Sequence, residues 1–340
     1  MKKRTPPLFL PLLLILCLIS LSSCQGNFSR NTDSPITKTG FFFDTVIQIT
    51  IYDRSQETLL DDCMDMAAKY EHLFSRTVTD SDTYRINQAK GSPVTVSADT
   101  INILQIAANY SRLSGGAFDL SIGAVSSLWD FKSGKGILPN PEDVARATET
   151  VSSLQIHILG DSVTLDNPDA QLDLGAIAKG YVADRMKDYL LSKGLSEGII
   201  NLGGNVLALG AKKDGSAYRI GIQKPFAPEG TSMLVVEVTD QTVVTSGVYE
   251  RYFEKDGVIY HHILDPKTGY PISNDLLAVT IICPLSVDGD CLSTTCFALG
   301  LEKGMELIES LPDTEAIFVK TDESLEFSSG TQKQLSEIER

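Results

Sequence analysis

Helix-type and strand-type hydrophobic patterns alternate along this chain without the regular spacing of a repeated strand–helix–strand unit. Apolar and polar residues alternate over 41–53, which predicts a half-buried strand, whereas residues 56–74 have helical spacing. Further helices are predicted over 99–113, with Asp99 as the N-cap, over 175–193 and over 287–299. Several strand patterns lie between 197 and 244 and another at 276–283, and two short strands between 156 and 165 flank a turn at Gly160. A doubly wound parallel sheet requires regular alternation, so the sequence favours an α+β fold with a mixed α/β architecture. The short connections predict a single compact unit.

The N-terminus has the pattern of a bacterial lipoprotein signal peptide. Basic residues at 2–4 precede an apolar run over 8–21, which is too short to span a bilayer comfortably. The run ends in the residues LSSC at 21–24, which resemble a lipobox, and the thiol of Cys24 would then carry the lipid. The alternative is an ordinary buried cysteine after a signal sequence.

We therefore expect three segments. Residues 1–23 are a signal peptide, residues 24–39 are a lipidated cysteine and flexible tether, and residues 40–340 are the functional domain. This layout predicts a protein anchored to the cell membrane on its extracytoplasmic face.

The charge balance restricts the partners of the exported body. The chain has 29 Lys and Arg against 44 Asp and Glu, a net charge of -15. Nucleic-acid binding depends on phosphate neutralisation and is therefore not expected. A polyanionic ligand would need a local cation or a bound metal.

Four cysteines remain after the signal and the lipobox, and they show neither CxxC spacing nor the pairing typical of zinc. Each lies among apolar residues, so we expect buried, unreactive thiols and not a disulfide framework. They are Cys63, Cys283, Cys291 and Cys296.

Two segments have features of a phosphate or nucleotide site. Residues 114–119 place paired glycines after a helix, which lets the backbone approach a ligand, although a simple helix stop has the same pattern. In residues 172–181, Asp173 and Lys179 flank a strand-to-helix junction whose free amides favour an anion. The alternative is that Asp173 caps the helix and Lys179 is solvated.

Two further segments have features of catalysis and metal binding. Residues 260–271 contain adjacent histidines before a turn; neighbours on a strand face opposite sides, so at most one points into a site. Two ordinary edge-strand histidines are the alternative. Asp290 and Thr294 stand at i and i+4 of a predicted helix, and these oxygen ligands suit Mg²⁺ and not zinc. Helix capping by Asp288 or Asp290 is the alternative there.

Together and in this order, the four segments resemble the ApbE-type FAD:protein FMN transferases, a family of exported, often lipid-anchored flavin-handling enzymes. The resemblance extends from about Phe41 to Glu309. It implies a mixed, T-fold-like α/β fold and binding of FAD with Mg²⁺. It also implies transfer of the FMN moiety to a Thr or Ser hydroxyl of an exported or membrane-bound flavoprotein, with release of AMP.

The resemblance also assigns roles to residues. Asp290 and Thr294 are implied as side-chain ligands of Mg²⁺, together with the backbone carbonyls of Ala176 and Val287. His262 is implied as the base that deprotonates the acceptor hydroxyl. Contacts with FAD are implied for Phe43, Thr77, Ala117, Phe118, Asp119, Asp173, Lys179 and Ile263.

The chain departs from the family at one motif, because Phe43-Asp44-Thr45 stands where the family usually has Met-Gly-Thr. Two alternatives to transfer stay open at this stage. Water in place of the acceptor hydroxyl would make the protein an FAD pyrophosphatase, and a lipoprotein without chemistry would be a flavin carrier. A metal at Asp290 and Thr294 favours chemistry, because a carrier has no need of a metal on the pyrophosphate.

Overall fold

An antiparallel sheet of eight strands forms the centre of the fold in the computed structural model, which describes residues 34–335. Helices cover one face of this sheet, and a β-hairpin packs on part of the other. The strands, numbered in chain order and given in spatial order, are β1 (Ile36–Phe42), β2 (Thr45–Ile51), β6 (Gly198–Leu202), β7 (Asn205–Leu209), β10 (Thr242–Gly247), β13 (Leu276–Cys283), β14 (Glu315–Lys320) and β15 (Leu325–Phe327).

Smaller sheets surround the central one. A three-stranded sheet has the order β3-β5-β4, and two hairpins pair β8 with β9 and β11 with β12. Their bounds are β3 (Val94–Thr95), β4 (Ile156–Leu159), β5 (Ser162–Leu165), β8 (Tyr218–Gln223), β9 (Ser232–Val238), β11 (Tyr252–Lys255) and β12 (Val258–His261).

The helices lie between the strands in the chain without a fixed period, which confirms the predicted mixed architecture. From Pro35 onward the described residues form one compact unit. The helices are α1 (Thr58–Phe74), α2 (Asp82–Gln88), α3 (Ala98–Leu113), α4 (Gly123–Ser126), α5 (Pro141–Thr148), α6 (Ala178–Ser192), α7 (Ser286–Leu299) and α8 (Leu301–Glu309).

Strand β13 shows how the layers are built. Ile281 belongs to the core that includes Phe297 of α7, whereas its neighbour Ile282 belongs to the core of the β8–β9 hairpin with Val236. Successive side chains of a strand point to opposite faces, so a strand covered on both sides is apolar throughout. This explains the continuous apolar run at 276–283.

The prediction of a single strand over 41–53 is wrong, because the chain reverses at Phe43 and Asp44. Phe42 pairs with Thr45, and the two turn residues have φ of 54° and 58°. Two-residue hairpin turns of this kind require positive φ, for which Gly, Asn and Asp are the usual residues. Phenylalanine is not one of these residues, so the sequence pattern does not indicate a turn at this position.

Two helix starts also differ from the predictions. Helix α3 is capped by Ser97, whose Oγ accepts a hydrogen bond from Thr100 N at 3.1 Å, and not by Asp99, which lies in the first turn. Helix α6 begins at Ala178 because residues 175–177 form a turn before it.

The four cysteines expected to be inert are buried and form no disulfides within residues 34–335, as predicted. In that same part of the chain no helix combines the length and apolar character needed to span a membrane. The predicted signal peptide, Cys24 and most of the tether lie outside the described residues and stay predictions.

The contact between α6 and α7 leaves no room for a side chain at Gly180. A Cβ there would lie 2.2 Å from Ser286 O and 2.7 Å from Val287 Cα. We therefore expect Gly180→Ala to force the helices apart and to lower the free energy of unfolding by about 1–3 kcal/mol. Urea denaturation measures this change. The exposed Ser192→Ala on the same helix is the control, with an expected change within about 0.5 kcal/mol.

Candidate active site

The loop before α6 is held in place by a buried side chain of α2. Asn87 Nδ2 donates to Leu172 O at 2.9 Å, and Asn87 Oδ1 accepts from Leu172 N at 2.7 Å. The amides of Ile177 and Ala178 then close a turn onto Leu174 O. This backbone carries Asp173 and Ala176, so both have a defined position before the helix begins.

Asp290 of α7 points at the N-terminal turn of α6. Its Oδ2 accepts from Gly180 N at 2.6 Å, its Oδ1 accepts from Asn205 Nδ2 at 3.0 Å, and Lys179 Nζ lies 3.9 Å from Oδ1. The side chain is only 4% exposed. Two donors and a nearby ammonium group compensate the burial of the carboxylate.

The same contact satisfies a free amide at the start of α6. Gly180 is the third residue of α6, and the amides of a helix's first turn have no acceptor within the helix. The Asp290 carboxylate accepts from the Gly180 amide instead. Ala176 lies two residues before α6, in the turn that precedes it, so its carbonyl is outside the hydrogen-bond ladder of the helix.

Thr294 lies one helical turn beyond Asp290. Its Oγ1 is 3.3 Å from Ser246 Oγ of β10, which is also 2.8 Å from Ser293 Oγ. Within residues 34–335 no three His, Cys, Asp or Glu side chains gather as a metal cluster. The oxygen donors predicted at this point are the Asp290 carboxylate, the Thr294 hydroxyl and the Ala176 carbonyl. Such a hard oxygen set fits Mg²⁺, which keeps several waters, and does not fit zinc.

The first turn of α7 is capped from α6. Asp184 accepts hydrogen bonds from Ser286 N at 2.8 Å and from Val287 N at 2.9 Å. The alternative of capping by Asp288 or Asp290 is therefore wrong. Burial raises the pKa of Asp184 to about 6, although the two amides act in the opposite direction. Val287, the other predicted carbonyl ligand, is buried in this capped turn.

The adjacent histidines have different surroundings. His261, at the end of β12, is bonded through Nε2 to Ile272 O at 3.0 Å and through Nδ1 to Ile263 N at 3.3 Å. Its ring also contacts Phe297 edge-on, so it belongs to the core. His262 instead has a buried Nδ1 with no hydrogen-bond partner in the described part of the chain.

His262 lies beside positive charge. Its amide donates to Arg251 O at 3.1 Å, and the charges of Arg251 and Lys179 act on its ring. Burial, reinforced by these charges, lowers the pKa of His262 to about 3. The imidazole is therefore neutral at physiological pH.

A further cation, Arg76, lies beside Asp173. Arg76 Nε is 3.6 Å from Asp173 Oδ2, and Arg76 Nη1 donates to Ser126 Oγ at 2.9 Å. Asp173 Oδ1 accepts from Gly175 N at 3.0 Å, so its carboxylate stabilises the turn and does not cap α6 directly. No sequence pattern around Arg76 or Arg251 indicates that these residues belong to the site. Their positions beside Asp173 and His262 depend on the tertiary structure.

The glycine-rich turn at 114–119 adjoins this loop, because Asp173 N donates to Leu120 O at 2.8 Å. Asp119 accepts from Ser121 N and Ser153 N. Phe118 is buried, with its amide bonded to Ser114 Oγ, and Ala117 is half-buried. A cleft of about 330 Å³ lies beside the turn and is lined by Gly115, Gly116, Asp119, Pro266 and Lys267, among others.

The other predicted FAD contacts lie at different depths. Thr77 is exposed, next to Arg76 in the chain. Ile263 is buried, and its carbonyl accepts from Ile272 N at 3.0 Å. Phe43 is at the tip of the β1–β2 hairpin, where its amide donates to Glu71 Oε1 at 2.7 Å.

Asn205 shows what sequence patterns miss. Asn205 is 1% exposed at the start of β7, and its Oδ1 also accepts from Ser286 Oγ at 2.6 Å. The only local signal is a polar residue before an apolar strand. The four segments singled out from the sequence thus meet in one region, with Arg76, Arg251, Asn205 and Asp184 added by the fold.

Comparison with known proteins agrees with this arrangement. The model of the ApbE family matches residues 43–318. The chain is 40% identical over 287 residues to an FAD:protein FMN transferase of Klebsiella pneumoniae, with 83% of this chain and 89% of that protein covered. It is 34% identical over 337 residues to one of Treponema pallidum, with 93% and 92% covered.

Solved structures of the family share the fold. An ApbE protein from Thermotoga maritima superposes with a TM-score of 0.83 at 27% identity, covering 89% of this chain and all of that one. The flavin transferase ApbE from Vibrio cholerae gives a TM-score of 0.79 at 28% identity, covering 89% and 99%. By sequence and by structure, the chain belongs to the ApbE family.

Proposed function

We propose that this protein transfers the FMN moiety of FAD to a Thr or Ser hydroxyl of an exported or membrane-bound flavoprotein and releases AMP. The relatives described above carry the name of this activity. The single observation that carries the proposal is the neutral His262, whose buried Nδ1 has no partner in the described part of the chain and which lies near the Lys179–Asp290 pair.

In the proposed reaction the acceptor oxygen attacks the phosphorus of the FMN half of FAD. The proton of the hydroxyl passes to His262, the new P–O bond forms, and the bond to the bridging oxygen breaks as AMP leaves with that oxygen. Lys179 and Arg251 balance negative charge on the pyrophosphate. No covalent intermediate with the enzyme is needed.

Asp290, Thr294 and the Ala176 carbonyl would hold Mg²⁺ in this scheme, with Val287 as a further predicted carbonyl ligand. The ion, when bound, would neutralise charge on the transferring phosphoryl group. This role suits an acidic protein, because its net charge of -15 opposes the approach of a pyrophosphate.

The test uses the soluble protein from Gln25 onward with FAD and Mg²⁺, and it quantifies AMP, FMN and protein-bound flavin by chromatography. Reactions contain or lack a domain with a candidate Thr acceptor. Covalent flavin on the acceptor with an equal amount of AMP supports transfer. Free FMN and AMP without acceptor would change the assignment to FAD pyrophosphatase, and FAD binding without either product would indicate a carrier.

The pH dependence of the reaction tests the state of His262. Its ordinary pKa near 6.5 is lowered to about 3. We therefore expect kcat/KM to show no acid limb near pH 6.5 and to fall only as the pH approaches about 3. The same shift lowers the free energy of unfolding as the pH falls below 6.5, because His262 binds a proton in the unfolded chain but stays neutral in the folded one. AMP release measured from acid to alkaline pH, with circular dichroism at each point, checks this; an acid limb centred near 6.5 would contradict it.

We further propose that the lipid on Cys24 holds the domain on the extracytoplasmic face of the cell membrane. The sequence pattern at 21–24 supports this, and these residues lie outside the described part. Cys24→Ser should move the protein from the membrane fraction to the soluble one while FAD turnover by the domain is unchanged. Fractionation and immunoblotting measure this, and unchanged membrane retention would contradict lipidation.

A further inference from the structure

The tip of the β1–β2 hairpin carries an exposed carboxylate, that of Asp44. Asp44 has a φ of 58°, a conformation that glycine adopts without strain. The turn therefore does not require the side chain of Asp44. The role of the charge therefore depends on the groups that surround the Asp44 carboxylate.

Asp44 forms an ion pair with Lys132, 88 residues away in the chain. The charges of Arg251 and Arg76 also act on it. These arginines border the proposed site, since Arg251 O accepts from His262 N and Arg76 lies 3.6 Å from Asp173. Asp44 is therefore paired with one cation and within electrostatic range of two others that border the site.

Asp44 and Lys132 remain accessible to solvent. Their side chains are 59% and 60% exposed, so the pair is weak and can be broken by a competing anion. Lys132 follows α4 and Asp44 precedes β2, so the pair joins two separate loops at the edge of the site.

We propose that Asp44 is an internal counter-anion that lowers the affinity of the site for polyanionic ligands. It occupies Lys132 and offsets the charge of Arg76 and Arg251, so the pyrophosphate of the substrate competes with it. Asp44 is thus a specificity-determining residue, and it limits retention of the nucleotide products. The inference rests on the proposed function only in taking a pyrophosphate as the ligand.

Two substitutions of Asp44 test this proposal, because both replacement residues, Asn and Gly, tolerate a positive φ. Asp44→Asn removes the charge and keeps the shape, and Asp44→Gly removes the side chain. We expect both to bind inorganic pyrophosphate about threefold to tenfold more tightly at low salt, measured by calorimetry and by competition with FAD fluorescence. At about 1 M salt, where the screening length is about 3 Å, the difference should vanish.

Matched controls separate a local effect from net charge. Asp313 is exposed, has a φ of 51° and forms no ion pair within the described residues, so Asp313→Asn removes the same charge from a comparable turn. It should change the affinity less than twofold. Lys132→Gln should lower the affinity for pyrophosphate. In the double variant Asp44→Asn/Lys132→Gln both partners of the ion pair are absent, so the affinity should be close to that of the wild type.

Binding is measured without turnover, so the proposal is judged separately from the transferase activity. Tighter, salt-sensitive binding by both Asp44 variants supports the counter-anion even if no AMP is released, an outcome that would defeat only the proposed function. Three results would overturn the counter-anion proposal. They are pyrophosphate binding by both Asp44 variants that is equal to or weaker than that of the wild type, an effect of Asp313→Asn as large as theirs, and failure of all these proteins to bind pyrophosphate.

Discussion

Replacing His262 by alanine should lower the rate of AMP release by about 10²–10⁴-fold, the usual contribution of a general base. The ring has no hydrogen bond through its buried Nδ1, so its removal leaves no donor or acceptor of the fold unpaired there. FAD affinity and thermal stability should therefore change little. Stopped assays of AMP, fluorescence titration with FAD and thermal unfolding measure the three quantities.

His261→Gln is the matched control for this prediction. Its ring supports the backbone through Ile272 O and Ile263 N, so the substitution should lower the melting temperature, since an unpaired buried group costs about 1–3 kcal/mol. The rate of the folded fraction should stay within about tenfold of the wild type. If His261→Gln abolishes the reaction and His262→Ala does not, the assignment of the base is wrong.

Replacing Asp290 by asparagine should reduce AMP release by about 10³-fold or more, because the proposed Mg²⁺ site then loses its one carboxylate ligand. The amide also turns an NH₂ group towards either Gly180 N or Asn205 Nδ2, both of which are donors. A loss of about 1–3 kcal/mol in unfolding free energy should accompany the kinetic effect. Rates are therefore compared at a temperature where circular dichroism shows the variant folded.

Asp288→Asn tests whether this effect belongs to Asp290 or to the helix. Asp288 lies two residues earlier in α7, where burial raises its pKa and its bond with Tyr110 opposes that. Asparagine can keep a hydrogen bond with Tyr110, so we expect AMP release within about threefold of the wild type. Equal losses in both variants, or AMP release at the wild-type rate in the presence of a chelator, would contradict the metal assignment.

The elements whose pattern is local were predicted well. The apolar run at 276–283 is β13, and the pattern at 287–299 lies within α7. The hairpin around Gly160 is also present, because a glycine at positive φ between two short strands is a local signal. The failures are local too: Phe43 and Asp44 form a tight turn with an unusual first residue, and Ser97 competes with Asp99 as the cap of α3.

The sequence by itself determined the mixed architecture, the four chemically unusual segments and the family, since periodicity, turn residues and ordered motifs all lie within short stretches. The tertiary structure decided which of these groups meet. Gly180 and Asp290 are 110 residues apart, and Asn205 is 85 residues from the same carboxylate.

Whether Asp184 caps α7, whether Asp290 accepts from the Gly180 amide and whether the charge of Arg251 acts on Asp44 depend on how helices and strands pack. Hydrogen bonds and charges act over a few ångströms in space, whereas sequence patterns report only neighbours along the chain.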